Sequence, residues 1–175
     1  MLMNVLYVLA VALCVFLVLA TMQPSQFRVT RSKSMKTSPE AVFAQVNNLH
    51  NWEAWSPWAR LDPNAKSEFA GPAEGVGAVM SWDGNQKVGT GSMTIVESKP
   101  ASQIKFRMDF KKPIKGTSEV EFTFAPQGDQ TMVSWSMSGQ NKFINKAMSL
   151  IFNCEKMVGG QFEKGLANLQ GVVEG

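Results

Sequence analysis

The chain has one histidine, His50, two cysteines, Cys14 and Cys154, and 14 carboxylates in 175 residues. His50 has no acid or nucleophile patterned around it, so a surface or capping role is expected rather than proton transfer. Ligand-spaced His, Cys or paired carboxylates are absent, as are a phosphate-cradling Gly-x-x-x-x-Gly-Lys and a dinucleotide fingerprint. No catalytic residue, metal or cofactor is expected. Cys14 falls in an apolar N-terminal run and Cys154 in the last helix, so no disulfide is expected either.

The side chains whose types and spacing do point to chemistry are apolar and soft. Ile104, Phe106, Met108 and Phe110 alternate with Lys105, Arg107, Asp109 and Lys111, which defines an inner and an outer face of a strand. Val120, Phe122 and Phe124 repeat the pattern, as do Thr131, Val133, Trp135 and Met137. Met80, Trp82 and Met93 join the inward set from earlier strands, and Met148 and Phe152 lie opposite them on the final helix. Methionine and aromatic rings adapt to irregular apolar shapes, so such a lining suits a ligand cavity of roughly 300–1,000 Å³. The same stripes also describe a plain packed core.

Stepping through the elements, Asn141 to Leu169 is the longest periodic segment of the soluble part. Its apolar residues recur mostly at three- and four-residue steps, predicting one helix about 39 Å long from Ile144 to Leu169. Such a helix spans a whole sheet. Glu155 borders its apolar stripe, either as a polar anchor facing the interior or exposed to solvent. Gly159-Gly160 should kink the helix or let it pass close to a strand. Gln26 to Met35 reads as a strand whose inward parity includes Arg31 and Lys33, which suits an edge or a stretch only partly covered by the core. Ser38-Pro39-Glu40 predicts an N-cap and a short helix to about Leu49. Trp52, Trp55 and Trp58 follow at three-residue spacing; Trp52 and Trp55 should plug one end of the core, while Trp58 suits the mouth of a cavity equally well. Strands are predicted over 66–70, 76–82 and 88–97, with Asp83-Gly84-Asn85 as a tight hairpin between the last two. The fold class is α+β, a curved antiparallel sheet wrapped around a long C-terminal helix.

Ser38-Pro39-Glu40-Ala41-Val42-Phe43, Trp52-Glu53-Ala54-Trp55-Ser56-Pro57-Trp58 and Asp62-Pro63 resemble the polyketide cyclase/dehydrase-like branch of the START-related SRPBCC superfamily. Gly75-Val76-Gly77, Trp82-Asp83-Gly84, Gly89-Thr90-Gly91 and Gly159 to Leu166 fit the same branch. The resemblance implies a helix-grip fold with a hydrophobic cavity between sheet and last helix. Lys33 departs from it, standing where such proteins usually carry an aliphatic residue. The resemblance alone motivates a second functional class, a cyclase- or dehydratase-like enzyme on a hydrophobic substrate.

From Val5 to Ala20 every residue is apolar, and about 20 such residues are what the hydrocarbon core of a bilayer needs. A transmembrane anchor over residues 1–23 and a helix-grip domain over 26–172 are expected. A cleaved signal is the rival, favoured by Val18-Leu19-Ala20 and opposed by the lack of Lys or Arg before the run. Arg28, Arg31, Lys33 and Lys36 after the span lean the domain toward the cytoplasmic side. A net charge of +3, with no basic run interleaved with aromatics, gives no footprint for nucleic acid. The expected partners are the membrane and a lipid or other small hydrophobic molecule held by Trp58, Met80, Trp82, Met93, Phe106, Met108, Phe110, Phe122, Phe124, Trp135, Met137, Met148, Phe152 and Glu155. An interaction scaffold with a filled core is the alternative without a ligand.

Overall fold

A computed structural model describes residues 2–151 and 153–175. Seven strands form one antiparallel sheet: β1 (Gln26–Met35), β2 (Lys66–Ala70), β3 (Val79–Asp83), β4 (Thr90–Lys99), β5 (Gln103–Lys112), β6 (Gly116–Gln127) and β7 (Gln130–Gln140). Their order across the sheet is β1-β7-β6-β5-β4-β3-β2, so the inward charges of the first strand do lie on an edge. The helices are α1 (Leu2–Met22), α2 (Pro39–Asn47), the one-turn α3 (Trp52–Trp55), α4 (Phe143–Ser149) and α5 (Cys154–Glu174). This is the α+β helix-grip arrangement.

Local chemistry sets the boundaries. Ser38 caps α2 by accepting from the Ala41 backbone N–H, with Pro39 at the first helical position. The β3–β4 connection is longer than the expected tight hairpin. Asn85 Oδ1 accepts from the backbone N–H of Lys87 at 2.8 Å, and Asp62 Oδ2 accepts from that of Asn85 at 2.6 Å. These side-chain acceptors stabilise a six-residue loop that a two-residue turn has no room for.

The main correction concerns the last helix. The 141–169 segment is two helices, with the break after Leu150 and Asn153 capping α5 through the Lys156 N–H at 2.9 Å. The apolar periodicity runs through the break, because residues on one stripe stay on one stripe in either arrangement. α5 then lies against β1 and β7 and beside α3, whereas α4 leaves the sheet and packs against α1. α1 itself is almost wholly exposed and is long and apolar enough to cross a membrane, a property it shares with signal sequences.

α5 docks on an aromatic stack. Trp135 is sandwiched between Phe162 of α5, with ring centroids 4.2 Å apart, and Phe122 of β6, at 4.8 Å. The approach is close enough that a Cβ at Gly165 would stand 2.7 Å from Trp135 Cζ3 and 3.0 Å from Pro57 Cδ. Gly165→Val should therefore lower stability by about 1–3 kcal/mol through overpacking, measured as a fall of several degrees in Tm.

On the outer face, Lys99 and Lys105 hold the Glu97 carboxyl at 2.6 and 2.9 Å and bring its pKa down to about 2. A depressed carboxylate pKa stabilises the fold above the ordinary carboxylate range and loses that contribution as pH falls through the folded value. Glu97→Gln should therefore be less stable than the native chain at neutral pH, with the difference closing as pH falls toward about 2 in chemical-denaturation midpoints.

Candidate functional site

The inner face of the sheet divides into a filled half and an uncovered half. Phe106, Phe122, Phe124, Trp135 and Met93 are buried. α2 lies against β5 and β6, and the rings of Trp52 and Trp55 close over the aromatic floor, with Trp52 5.4 Å from Phe106 and Trp55 5.8 Å from Trp135. The space between sheet and α5 is thus occupied by the protein's own side chains. The expected hollow beneath the helix is not where the apolar lining stays open.

That opening is at the other half of the same face. Met80, Trp82, Met108, Phe110 and Met137 share the inward parity of the core and are only half-buried, as is Trp58 at the margin of the aromatic stack. The register aligns Phe27, Gly139, Ser118, Met108, Met93 and Met80 in one row across six strands. The next row holds Phe110, Gly91 and Trp82, with the indole of Trp82 filling the space above Gly91 and meeting Phe110 edge-on at 6.1 Å. Both rows lie toward the end of the sheet where β1 begins and β7 finishes, at the Gln26–Gln140 pair. Among the described residues, α5 and α2 do not extend over β3 and β4. α5 begins only at Cys154, and α4 packs against α1 instead.

Several expected site residues stand elsewhere. Met148 is on α4, beside α1 and not opposite the sheet. Phe152 lies outside the described residues. Glu155 does not face the interior: its carboxylate meets Arg31 at 2.8 Å, and Glu163 meets the same guanidinium at 2.6 Å. The two carboxylates hold the Arg31 pKa above its ordinary value, chiefly through the hydrogen bonds that its guanidinium donates to Glu155 and then Glu163. Gly159 resolves the expected choice between kink and close approach. α5 continues through it, and a Cβ there would overlap the Arg31 guanidinium. Glu155, Gly159 and Glu163, four residues apart on one face, make a slot for an edge-strand arginine. The sequence carried that spacing, but nothing in it named Arg31 as the occupant.

His50 stacks on Phe69 with centroids 3.9 Å apart and lines a solvent-open hollow of about 350 Å³ with Leu49 and Pro72. A second hollow, of about 370 Å³, lies by Asp83, Gln86 and Lys112. Among the described residues no three His, Cys, Asp or Glu side chains cluster as metal ligands. Two buried indole donors, Trp55 Nε1 and Trp135 Nε1, have no acceptor among the described residues. An unsatisfied buried donor costs about 1–3 kcal/mol.

The family model for polyketide cyclase/dehydrase and lipid transport matches residues 26–174. Protein CV1439 from Chromobacterium violaceum is similar in fold, with a TM-score of 0.60 at 17% identity over 87% of this chain and 99% of that one. The Aha1 dimer from Colwellia psychrerythraea gives 0.61 at 15% identity, over 85% and 96%. The di-domain ARO/CYC BexL from the BE-7585A biosynthetic pathway gives 0.62 at 14% identity, over 90% of this chain and 53% of that one. No curated protein sequence matches the chain significantly.

The slot for Arg31 generates a test. Arg31→Met removes the charge that ties the first two turns of α5 to β1. Amide exchange across residues 154–163 should become several-fold faster while β5–β7 keep their protection.

Proposed function

The chain belongs to the polyketide cyclase/dehydrase and lipid transport family, and from that premise we propose that it is a membrane-anchored binding domain. Its ligand is a lipid or other small hydrophobic molecule, laid against the uncovered half of the inner sheet face. Family membership supports a hydrophobic-ligand-binding or cyclase-like domain in general terms. The observation that carries the finer reading is the half-buried set Met80, Trp82, Met108, Phe110 and Met137, which shares the core's face but lacks the core's helical cover.

Apolar surface removed from water contributes about 25 cal/mol per Å², so an acyl chain or fused ring laid over several half-buried Met and aromatic side chains gains several kcal/mol. Methionines lend the shape tolerance that variable hydrophobic ligands require. Met93, Phe106, Phe122, Phe124 and Trp135 belong to the closed core beside this surface, and Trp58 is half-buried at the edge of the aromatic stack.

α1 supports the anchor: the 20-residue span Met3–Met22, apolar except at Asn4 and Thr21, rises about 30 Å, the thickness of the hydrocarbon core. Binding is favoured over catalysis because Glu155 stands away from the open rows, and His50, which lies beside Met80 through Phe69, makes no side-chain hydrogen bond to an acid or nucleophile among the described residues. His50 stacks on Phe69 and Glu155 pairs with Arg31.

Delipidated chain exposed to a lipid extract and examined by native mass spectrometry should retain one hydrophobic molecule per protein. Met108→Asp places a charge in the middle of the surface and should abolish retention while leaving the circular dichroism of the sheet unchanged. An unmodified chain that retains nothing contradicts the reading.

A further inference from the structure

The segment between β7 and α5 is apolar, exposed and fixed in place. Phe143 is 49% exposed, Ile144 51% and Ile151 67%, and Met157 in the first turn of α5 is 63% exposed, a concentration of large apolar side chains within fifteen residues of chain. Scattered exposed hydrophobics are ordinary on a protein surface, and Val76 and Val96 are of that kind. A contiguous group is not. Between Asn141 and Asn153 the charged residues are Lys142 and Lys146, with no carboxylate among them.

Its position says what covers it. The Asn141 backbone N–H donates to Ser25 O at 2.9 Å, Asn141 Nδ2 to Pro24 O at 3.1 Å and Lys146 Nζ to Ser25 Oγ at 3.1 Å. α4 also packs along α1. Only Gln23, Pro24 and Ser25 separate the last residue of α1 from the first of β1, at most about 10 Å of chain. If α1 spans a bilayer, α4 is held at the surface of that bilayer. Apolar side chains with flanking lysines are the composition of a helix that lies in the boundary between headgroups and acyl chains. The lysine stems reach outward while their ammonium groups meet lipid phosphates.

The register adds a second observation. The uncovered rows of the sheet lie toward the Gln26–Gln140 end, which is the end where α1 leaves the domain. The open apolar surface and the exposed helix therefore face the same side.

Resting on the anchor reading, we infer that α4 and the adjoining Ile151 are a membrane-interface element, seated in the leaflet from which α1 emerges. The uncovered half of the sheet opens onto that leaflet, so the ligand passes between bilayer and protein without crossing water. The partner is the lipid surface itself, with anionic headgroups favoured by Lys142 and Lys146.

The test uses the full chain with Cys14→Ala and Cys154→Ala, reconstituted in equimolar phosphatidylcholine and phosphatidylglycerol vesicles. Ile144→Cys, Ile151→Cys and, at the opposite end of the sheet, Val76→Cys each receive an environment-sensitive fluorophore. The expected result is that the chain stays with the vesicles after an alkaline wash, and that lipids spin-labelled near the headgroup quench the probes at 144 and 151 but not at 76. Retention with all three probes unquenched overturns the inference and leaves the anchor standing. Loss of the chain to the supernatant overturns both.

Discussion

The stacking of Trp135 between Phe122 and Phe162 is the contact on which the rest of the arrangement depends. It fixes where α5 meets the sheet, and the glycine at position 165 lets that meeting be close. Trp52 and Trp55 complete the aromatic group from above, and Trp58 marks its edge, 5.7 Å from Trp135. Val42 and Val46 of α2 and Leu166 and Leu169 of α5 extend the burial around this group. Because the helix pinned there begins only at Cys154, its length covers one end of the sheet and leaves the other uncovered.

This division explains why one face carries two kinds of apolar residue. Around Trp135 the side chains are shielded by one another, and a mutation there is a mutation of stability. Beyond Met108 they are shielded only in part, and the cost of their exposure persists unless a ligand or a lipid surface covers them. The Arg31 slot belongs to the first group. It ties the start of α5 to the edge strand, so the boundary between covered and uncovered halves stays where Trp135 sets it.

Much of this was legible in the sequence. Period-two alternation placed β1 at Gln26–Met35 and β2 at Lys66–Ala70, and the Ser38-Pro39 signature placed the start of α2, because in each case a local rule decides the outcome. Edge position for β1 followed from Arg31 and Lys33 at inward parity. The helix break was not legible: apolar spacing is the same on both sides of Leu150, and the signal that mattered was Asn153 as a cap for Lys156. The partner of Glu155 was also out of reach, since Arg31 lies more than a hundred residues away and only the tertiary fold brings it to Gly159. The inward set was read correctly as one face, but which part of it is covered depends on where α5 starts. Parity cannot report that.

The central claim is that the Met80, Trp82, Met108 and Phe110 surface takes an apolar ligand while the Trp135 stack remains closed. Quenching of intrinsic fluorescence by a brominated fatty acid tests it most directly, because the bromines act only on an indole they touch. The account predicts saturable quenching that is reduced by Trp82→Phe and unaffected by Trp52→Phe. Quenching that does not saturate, or that is the same in the Trp82→Phe chain, would contradict it.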